Sequence, residues 1–207
     1  PSINHSDILG SSFTQPYFSK ISDNKDITFR PSWFDNDILS FQNEFRQVNE
    51  KSTLLADFGF VKGFKSKTTN KRKNLNHFFI NFDYNLELED FISSNLFLNI
   101  EKTNNDGYLK IFDPHITKSK ARPDSFNTLK NNLEIILNHE NYNFTTGILS
   151  YENLQEGKTS DRYQYVLPYY NFDKSLDTSF LNGSWNFSSS GNNNLNKTNQ
   201  LKSNIIN

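Results

Sequence analysis

A period of two governs this chain. In segments of about ten residues, apolar and polar side chains alternate, and clusters of turn-forming residues separate one segment from the next. The clearest case is 76–88. There Phe78, Ile80, Phe82, Tyr84, Leu86 and Leu88 share one face, His77, Asn81, Asp83, Asn85 and Glu87 take the other, and Phe79 is the one misfit. Successive side chains of a strand point to opposite faces, so such a segment is a strand with one apolar and one polar side.

Earlier segments follow the same rule. Ile27, Phe29 and Trp33 oppose Thr28, Arg30 and Ser32, while Leu39, Phe41 and Phe45 oppose Ser40, Gln42, Glu44 and Arg46. Leu96, Leu98 and Ile100 alternate with Asn95, Asn99 and Glu101, and weaker faces recur through Leu133, Tyr142, Tyr163 and Leu181 to Phe187. The pattern predicts eleven strands, at about 8–20, 26–34, 38–48, 52–61, 75–88, 91–102, 107–113, 126–139, 141–152, 161–172 and 179–189, with a twelfth starting near Gln200. Turn signals such as Asp23-Asn24-Lys25, Asp35-Asn36-Asp37 and Asn104-Asn105-Asp106-Gly107 punctuate them. No helical period of useful length is present, so the chain is expected to be all-β and antiparallel.

Three longer connections interrupt this meander, at 62–74, 113–125 and 190–199. The first carries Lys62, Lys65, Lys67, Lys71, Arg72 and Lys73; the second carries Lys118, Lys120 and Arg122 between Pro114 and Pro123. Solvated surface is one reading of these basic loops, and contact with anionic lipid headgroups or a phosphate-bearing glycolipid is the other.

Alternation alone does not separate a soluble sheet from a membrane barrel. Soluble strands usually run about five or six residues, whereas a tilted membrane-crossing strand needs about 9–11. Most segments here reach the longer range, and their polar faces hold Asn, Gln, Glu, Asp and Arg, which suits a watery lumen. Composition agrees: aromatic residues make up 15% of the chain while the mean hydropathy is −0.72. The expected fold is therefore an antiparallel up-and-down transmembrane β-barrel, here a partial one of about 11–12 strands. That leaves two edges with unpaired backbone, so residues 1–207 alone are not expected to close. The first residue is proline, and the chain is read as an excerpt of a longer protein, one fragment of a barrel domain over 1–207.

Chemistry is sparse. His5, His77, His115 and His139 are scattered, with no second histidine at ligand spacing, and there is no cysteine. No phosphate loop or nucleophile elbow occurs. With a net charge of −1 there is no basic excess to recruit nucleic acid. No cofactor, no metal and no enzymatic activity are expected.

Two stretches carry a family resemblance. The first runs Leu9-Gly10-Ser11-Ser12-Phe13-Thr14-Gln15-Pro16-Tyr17-Phe18, then Ile21-Ser22-Asp23-Asn24-Lys25-Asp26-Ile27-Thr28-Phe29-Arg30-Pro31, then Gln42-Asn43-Glu44-Phe45-Arg46-Gln47. The second is Asp161-Arg162-Tyr163-Gln164-Tyr165-Val166-Leu167-Pro168-Tyr169-Tyr170-Asn171-Phe172. Both resemble the barrel of the LptD family of lipopolysaccharide-assembly proteins, and they fall in that family's order. The resemblance implies the first half of a very large bacterial outer-membrane barrel that inserts lipopolysaccharide into the outer leaflet. It also implies a plug lipoprotein, LptE, and a periplasmic bridge protein, LptA, as partners. The family's N-terminal jellyroll, later strands and cysteines are not among these residues.

Prolines in the family's first two strands weaken pairing beside a lateral opening, and Pro16 and Pro31 stand at the matching places. Phe78, Ile80, Phe82, Tyr84 and Leu86 are expected to face lipid; Arg30, Glu44, Arg46, Asn81, Asp83 and Asn85 are expected to face the lumen. A porin-like channel, a TonB-type receptor barrel or a secreted β-rich adhesin remain the alternatives.

Overall fold

The computed structural model describes residues 1–66, 71–116, 118–155, 162–178 and 183–197, together with the strand pairing of 202–206. Thirteen strands form one sheet. They are β1 (Ser2–Ser6), β2 (Gly10–Thr14), β3 (Tyr17–Ser22), β4 (Lys25–Phe34), β5 (Leu39–Val48), β6 (Ser52–Lys65), β7 (Arg72–Asn85), β8 (Ser93–Thr103), β9 (Thr128–Asn138), β10 (Tyr142–Asn153), β11 (Tyr163–Thr178), β12 (Gly183–Lys197) and β13 (Lys202–Ile206). Hydrogen-bonded neighbours follow chain order from β1 to β13, except that β2 and β3 both lie against β4. Every described pair is antiparallel, and the order has two ends rather than closing on itself. The all-β, antiparallel reading of the alternation therefore holds; closure and membrane crossing are separate questions.

Several expected boundaries shift, each for a physical reason. The expected strand 8–20 is interrupted at Gln15-Pro16 to give β2 and β3, and the hairpin partner β1 precedes it. The basic segment 62–74 is mostly strand: β6 runs on to Lys65 and β7 begins at Arg72, whose guanidinium reaches Asp37 at 3.0 Å. Lys67 lies outside the described residues. The Asn- and Ser-rich stretch from 190, expected as a loop, continues β12 as far as Lys197. Pairing with β11 satisfies its backbone whatever its side chains prefer, as in Tyr170↔Gly191 and Val166↔Asn194.

The largest correction is at 107–113. The expected strand there is a helix, α1 (Tyr108–Phe112), followed by a single 3-10 turn over Asp113–His115. Tyr108, Leu109 and Phe112 are spaced one and four residues apart, which gathers them on one helical face, and all three are fully buried. Pro114 opens the 3-10 turn, where its missing N–H is harmless. The connection 113–125, read as either solvated surface or a headgroup contact, also tucks in Ile116 and Ala121.

The chain divides into two compact units, residues 1–81 with 100–127, and 82–99 with 128–207. In the first, one face of β4, β5 and β6 is bare. The register sets its rows: Trp33 opposite Leu39, Pro31 opposite Phe41 and then Phe60, Phe29 opposite Asn43 and then Phe58, Ile27 opposite Phe45 and then Ala56. From Ile27 to Trp33 this band spans about 20 Å along the strand, and Lys62 and Lys25 stand at its two ends.

The other face is covered by α1 and the turn after it. Phe112 meets Phe64 edge-on at 5.8 Å between ring centres, and His115 meets Phe34 at 4.9 Å. Phe64 reaches this face because Gly63 has φ +86°, which shifts the alternation of β6 by one. A side chain at Gly63 would also press on the Asp37 carbonyl.

In the second unit, β9 to β12 form a meander whose register shifts between Gly147 and Leu149 and between Val166 and Tyr169. The Arg162 guanidinium lies buried against Glu152 at 2.6 Å, and the Tyr169 hydroxyl donates to Glu134. Tyr163 to Phe172 of the second resembling stretch open β11, with Arg162 just before it, while Asp161 and Leu181 lie outside the described residues.

Candidate functional site: a covered polar face and a proline break

Beneath α1, the covered face of the first unit is mixed: Phe34, Val61, Phe64, Leu75 and Phe79 are buried there, and polar side chains lie among them. Ser32 of β4, Ser40 and Gln42 of β5, Asp57 of β6 and His77 of β7 are all buried there. Their alternation partners, Trp33, Phe41, Phe58 and Phe78, are exposed on the bare face by 38–47%. A sheet in water wets its carboxylates and hides its aromatics; here Asp57 is buried on the face that also buries Phe34, Phe64 and Phe79, and a second set of aromatics stands bare.

The buried polar groups form a directed chain. Asp57 Oδ1 lies 2.9 Å from His77 Nε2, and His77 Nδ1 lies 2.7 Å from the Tyr108 hydroxyl. With the Nε2 hydrogen donated to the Asp57 carboxylate, Nδ1 is the ring's acceptor and takes the Tyr108 O–H. Gln42 Nε2 then donates to the Tyr108 oxygen at 3.1 Å, and to Ser40 at 3.1 Å. Burial pushes the Tyr108 phenol well above its ordinary range, so it stays a donor. Burial likewise pushes the His115 imidazole down, favouring the neutral ring that packs on Phe34.

Gly59 makes room for this chain. A Cβ there would collide with His77 and with Gln42 Oε1, which lie across its Cα. Phe79, the misfit of the alternation, belongs to the same arrangement: it is fully buried and stacks on His77 at 4.4 Å between ring centres. The triad of carboxylate, imidazole and hydroxyl resembles a nucleophile-activating array, but Tyr108 has no exposed surface on which to meet a substrate. Its chemistry here is attachment of α1 to the sheet.

Replacing Tyr108 by Phe leaves His77 Nδ1 and one Gln42 donor buried and unpaired. The expected loss is about 1–3 kcal/mol, read from urea unfolding in detergent micelles, against a change within about 0.5 kcal/mol for Tyr84→Phe on the exposed face.

The second feature is the break between β2 and β3. Thr14 pairs with Ser32 and Tyr17 with Phe29, so the register is continuous and Gln15 stands opposite Pro31, Pro16 opposite Arg30. Gln15 donates its N–H to the Pro31 carbonyl at 3.1 Å. In an antiparallel ladder that pair exchanges two bonds, but Pro31 has no N–H to return. Pro31 thus removes one ladder bond here, while Pro16, in the adjacent non-hydrogen-bonded pair, removes none to β4; β3 beyond the break pairs only with β4 among the described strands.

The remaining expected site residues are dispersed. Arg46 binds Asp26 at 2.8 Å and lies 3.8 Å from Glu44. Arg30 is half-buried on the covered-face side of β4. On β7, Phe78 and Tyr84 are exposed while Ile80, Phe82 and, just past its end, Leu86 are half-buried; Asn81 and Asn85 are exposed and Asp83 half-buried. Asp57 and Tyr108 went unmarked in the sequence, and Phe79 was marked only as a misfit of the alternation. The signals were present: Asp57 is the lone charge between Leu54 and Val61, and Tyr108-Leu109 with Phe112 has helical spacing after Asp106-Gly107. No protein-family model matches this chain, and no curated protein matches it.

Proposed function

We propose that this chain is part of the wall of an outer-membrane β-barrel that passes lipopolysaccharide sideways into the outer leaflet, beside the Pro16–Pro31 break. The observation that carries the membrane reading is the bare apolar band of the first unit. Aromatic side chains stand bare on one side of β4 to β7 while serines, Gln42, Asp57 and His77 are enclosed on the other. A contiguous bare apolar band of this extent marks a surface that meets lipid or a partner, and its flanking lysines suit headgroup contact.

The lipopolysaccharide reading rests on the resemblance of the stretches around Pro16, Pro31 and Arg46, and with it come LptE and LptA as partners. The break supplies a mechanism. Lipopolysaccharide has a large hydrophilic head and apolar tails, so a wall that parts lets the head travel in water while the tails reach hydrocarbon. Pairing that already lacks the Pro31 donor parts at less expense than an intact ladder.

The test replaces Pro16 and Pro31 by Ala together in the full-length protein, with surface lipopolysaccharide and folded barrel measured side by side. Reduced export at normal barrel abundance is expected. Unchanged export would leave the prolines as ordinary strand-edge residues.

A further inference from the structure

Three buried polar atoms on neighbouring strands of the first unit have no hydrogen-bond partner: Arg30 Nε, Gln42 Oε1 and Asp57 Oδ2. Buried polar atoms in folded proteins are nearly always satisfied, so a cluster of three points to a missing partner. The register brings their backbones together. Arg30 faces Gln42 directly across β4 and β5, Gln42 faces Gly59 across β5 and β6, and Asp57 is two residues from Gly59 on the same side. Directly opposed residues have Cβ atoms about 5 Å apart and diagonal ones about 7–8 Å, spacings that long side chains span with a small molecule between them.

The inventory of orphans specifies that molecule. Two are acceptors and one is a donor, which is what a water satisfies when it gives both hydrogens and takes one bond. A metal ion would suit the two oxygens, but the donor from Arg30, always charged, opposes a cation. Among the described residues no group of three or more His, Cys, Asp or Glu side chains could hold one. An anion would meet the buried Asp57 carboxylate.

We propose that ordered water is bound between β4, β5 and β6 under α1, hydrogen-bonded to Arg30 Nε, Gln42 Oε1 and Asp57 Oδ2. It extends the Asp57–His77–Tyr108–Gln42 chain to Arg30, so the attachment of α1 is continuous with the charged residues of β4. The site stands whether or not the chain exports lipopolysaccharide.

The experiment is a crystal structure of the full-length protein in detergent, at a resolution that shows waters, from crystals grown with and without rubidium chloride. The expected result is a solvent peak within about 3.2 Å of Gln42 Oε1 and Asp57 Oδ2, with no anomalous rubidium signal. A Gln42→Met variant, which keeps the volume and removes the amide, is expected to lose the peak; if it does not assemble, Arg30→Met serves the same comparison. An anomalous peak would replace the water by a monovalent cation and overturn the proposal. So would an empty site, or an Arg30 guanidinium seated directly on Asp57.

Discussion

Arginine placed at Phe58 is expected to destabilise the folded chain by on the order of 2–4 kcal/mol in a bilayer. Phe58 sits mid-band on the bare face, beside Asn43 and one row from Phe60, and is 38% exposed. In water an exposed phenylalanine is replaced by arginine with little effect, because the guanidinium stays hydrated and hydrophobic surface is removed. In hydrocarbon the same guanidinium must be desolvated or drag water with it, and no acid on that face stands opposite to receive it. The sign of the contrast therefore reports the solvent. Phe82→Arg on β7 is expected to behave in the same way, and Asn81→Arg, on the opposite parity, is expected to be tolerated. Heat-modifiable mobility and urea unfolding in liposomes measure all three. Equal tolerance at the three positions would sink the membrane reading and leave a soluble sheet with an interaction face.

What the alternation made legible was the strand and its parity. Ile27-Phe29-Trp33 and Leu39-Phe41-Phe45 fall on the bare face because a period of two is local and survives whatever the tertiary partner is. Turn chemistry was legible for the same reason, as at Asp23-Asn24 between β3 and β4 and at Asp37, whose φ is +55°.

The elements that escaped are those decided by long-range contact. Five residues of helix carry too little period to stand out, and α1 is helical because the sheet beneath it buries Tyr108, Leu109 and Phe112. The asparagines of β12 have weak strand preference and are held by pairing with β11. The break at Pro16 was visible as a proline, but its position opposite Pro31 required the register of β4. The candidate site was half legible in consequence: the prolines and the polar face could be read, the insert that covers that face could not.

Phe79→Ala tests the covered face, and a loss of about 3–5 kcal/mol is expected. Phe79 is the residue that spoils the alternation of β7, since it puts an aromatic ring among His77, Asn81 and Asp83. In a purely water-filled lumen that ring would be a defect. Here it has no exposed surface, stacks on His77 and lies on the side that α1 covers. Deleting the ring opens a cavity beside the imidazole, loosens the seat of the His77–Tyr108 bond and removes apolar area that holds the insert down. Phe78→Ala, one residue away on the bare face, removes the same atoms without a cavity and is expected to change stability far less. The local consequence is also measurable. Lys110, Lys118 and Lys120 lie on the insert, so limited trypsin digestion of Phe79→Ala in detergent is expected to cut within 104–127 faster than in the parent or in Phe78→Ala. Cleavage at the parental rate, with stability unchanged, would mean that the insert is held by its own helix and not by the sheet beneath it.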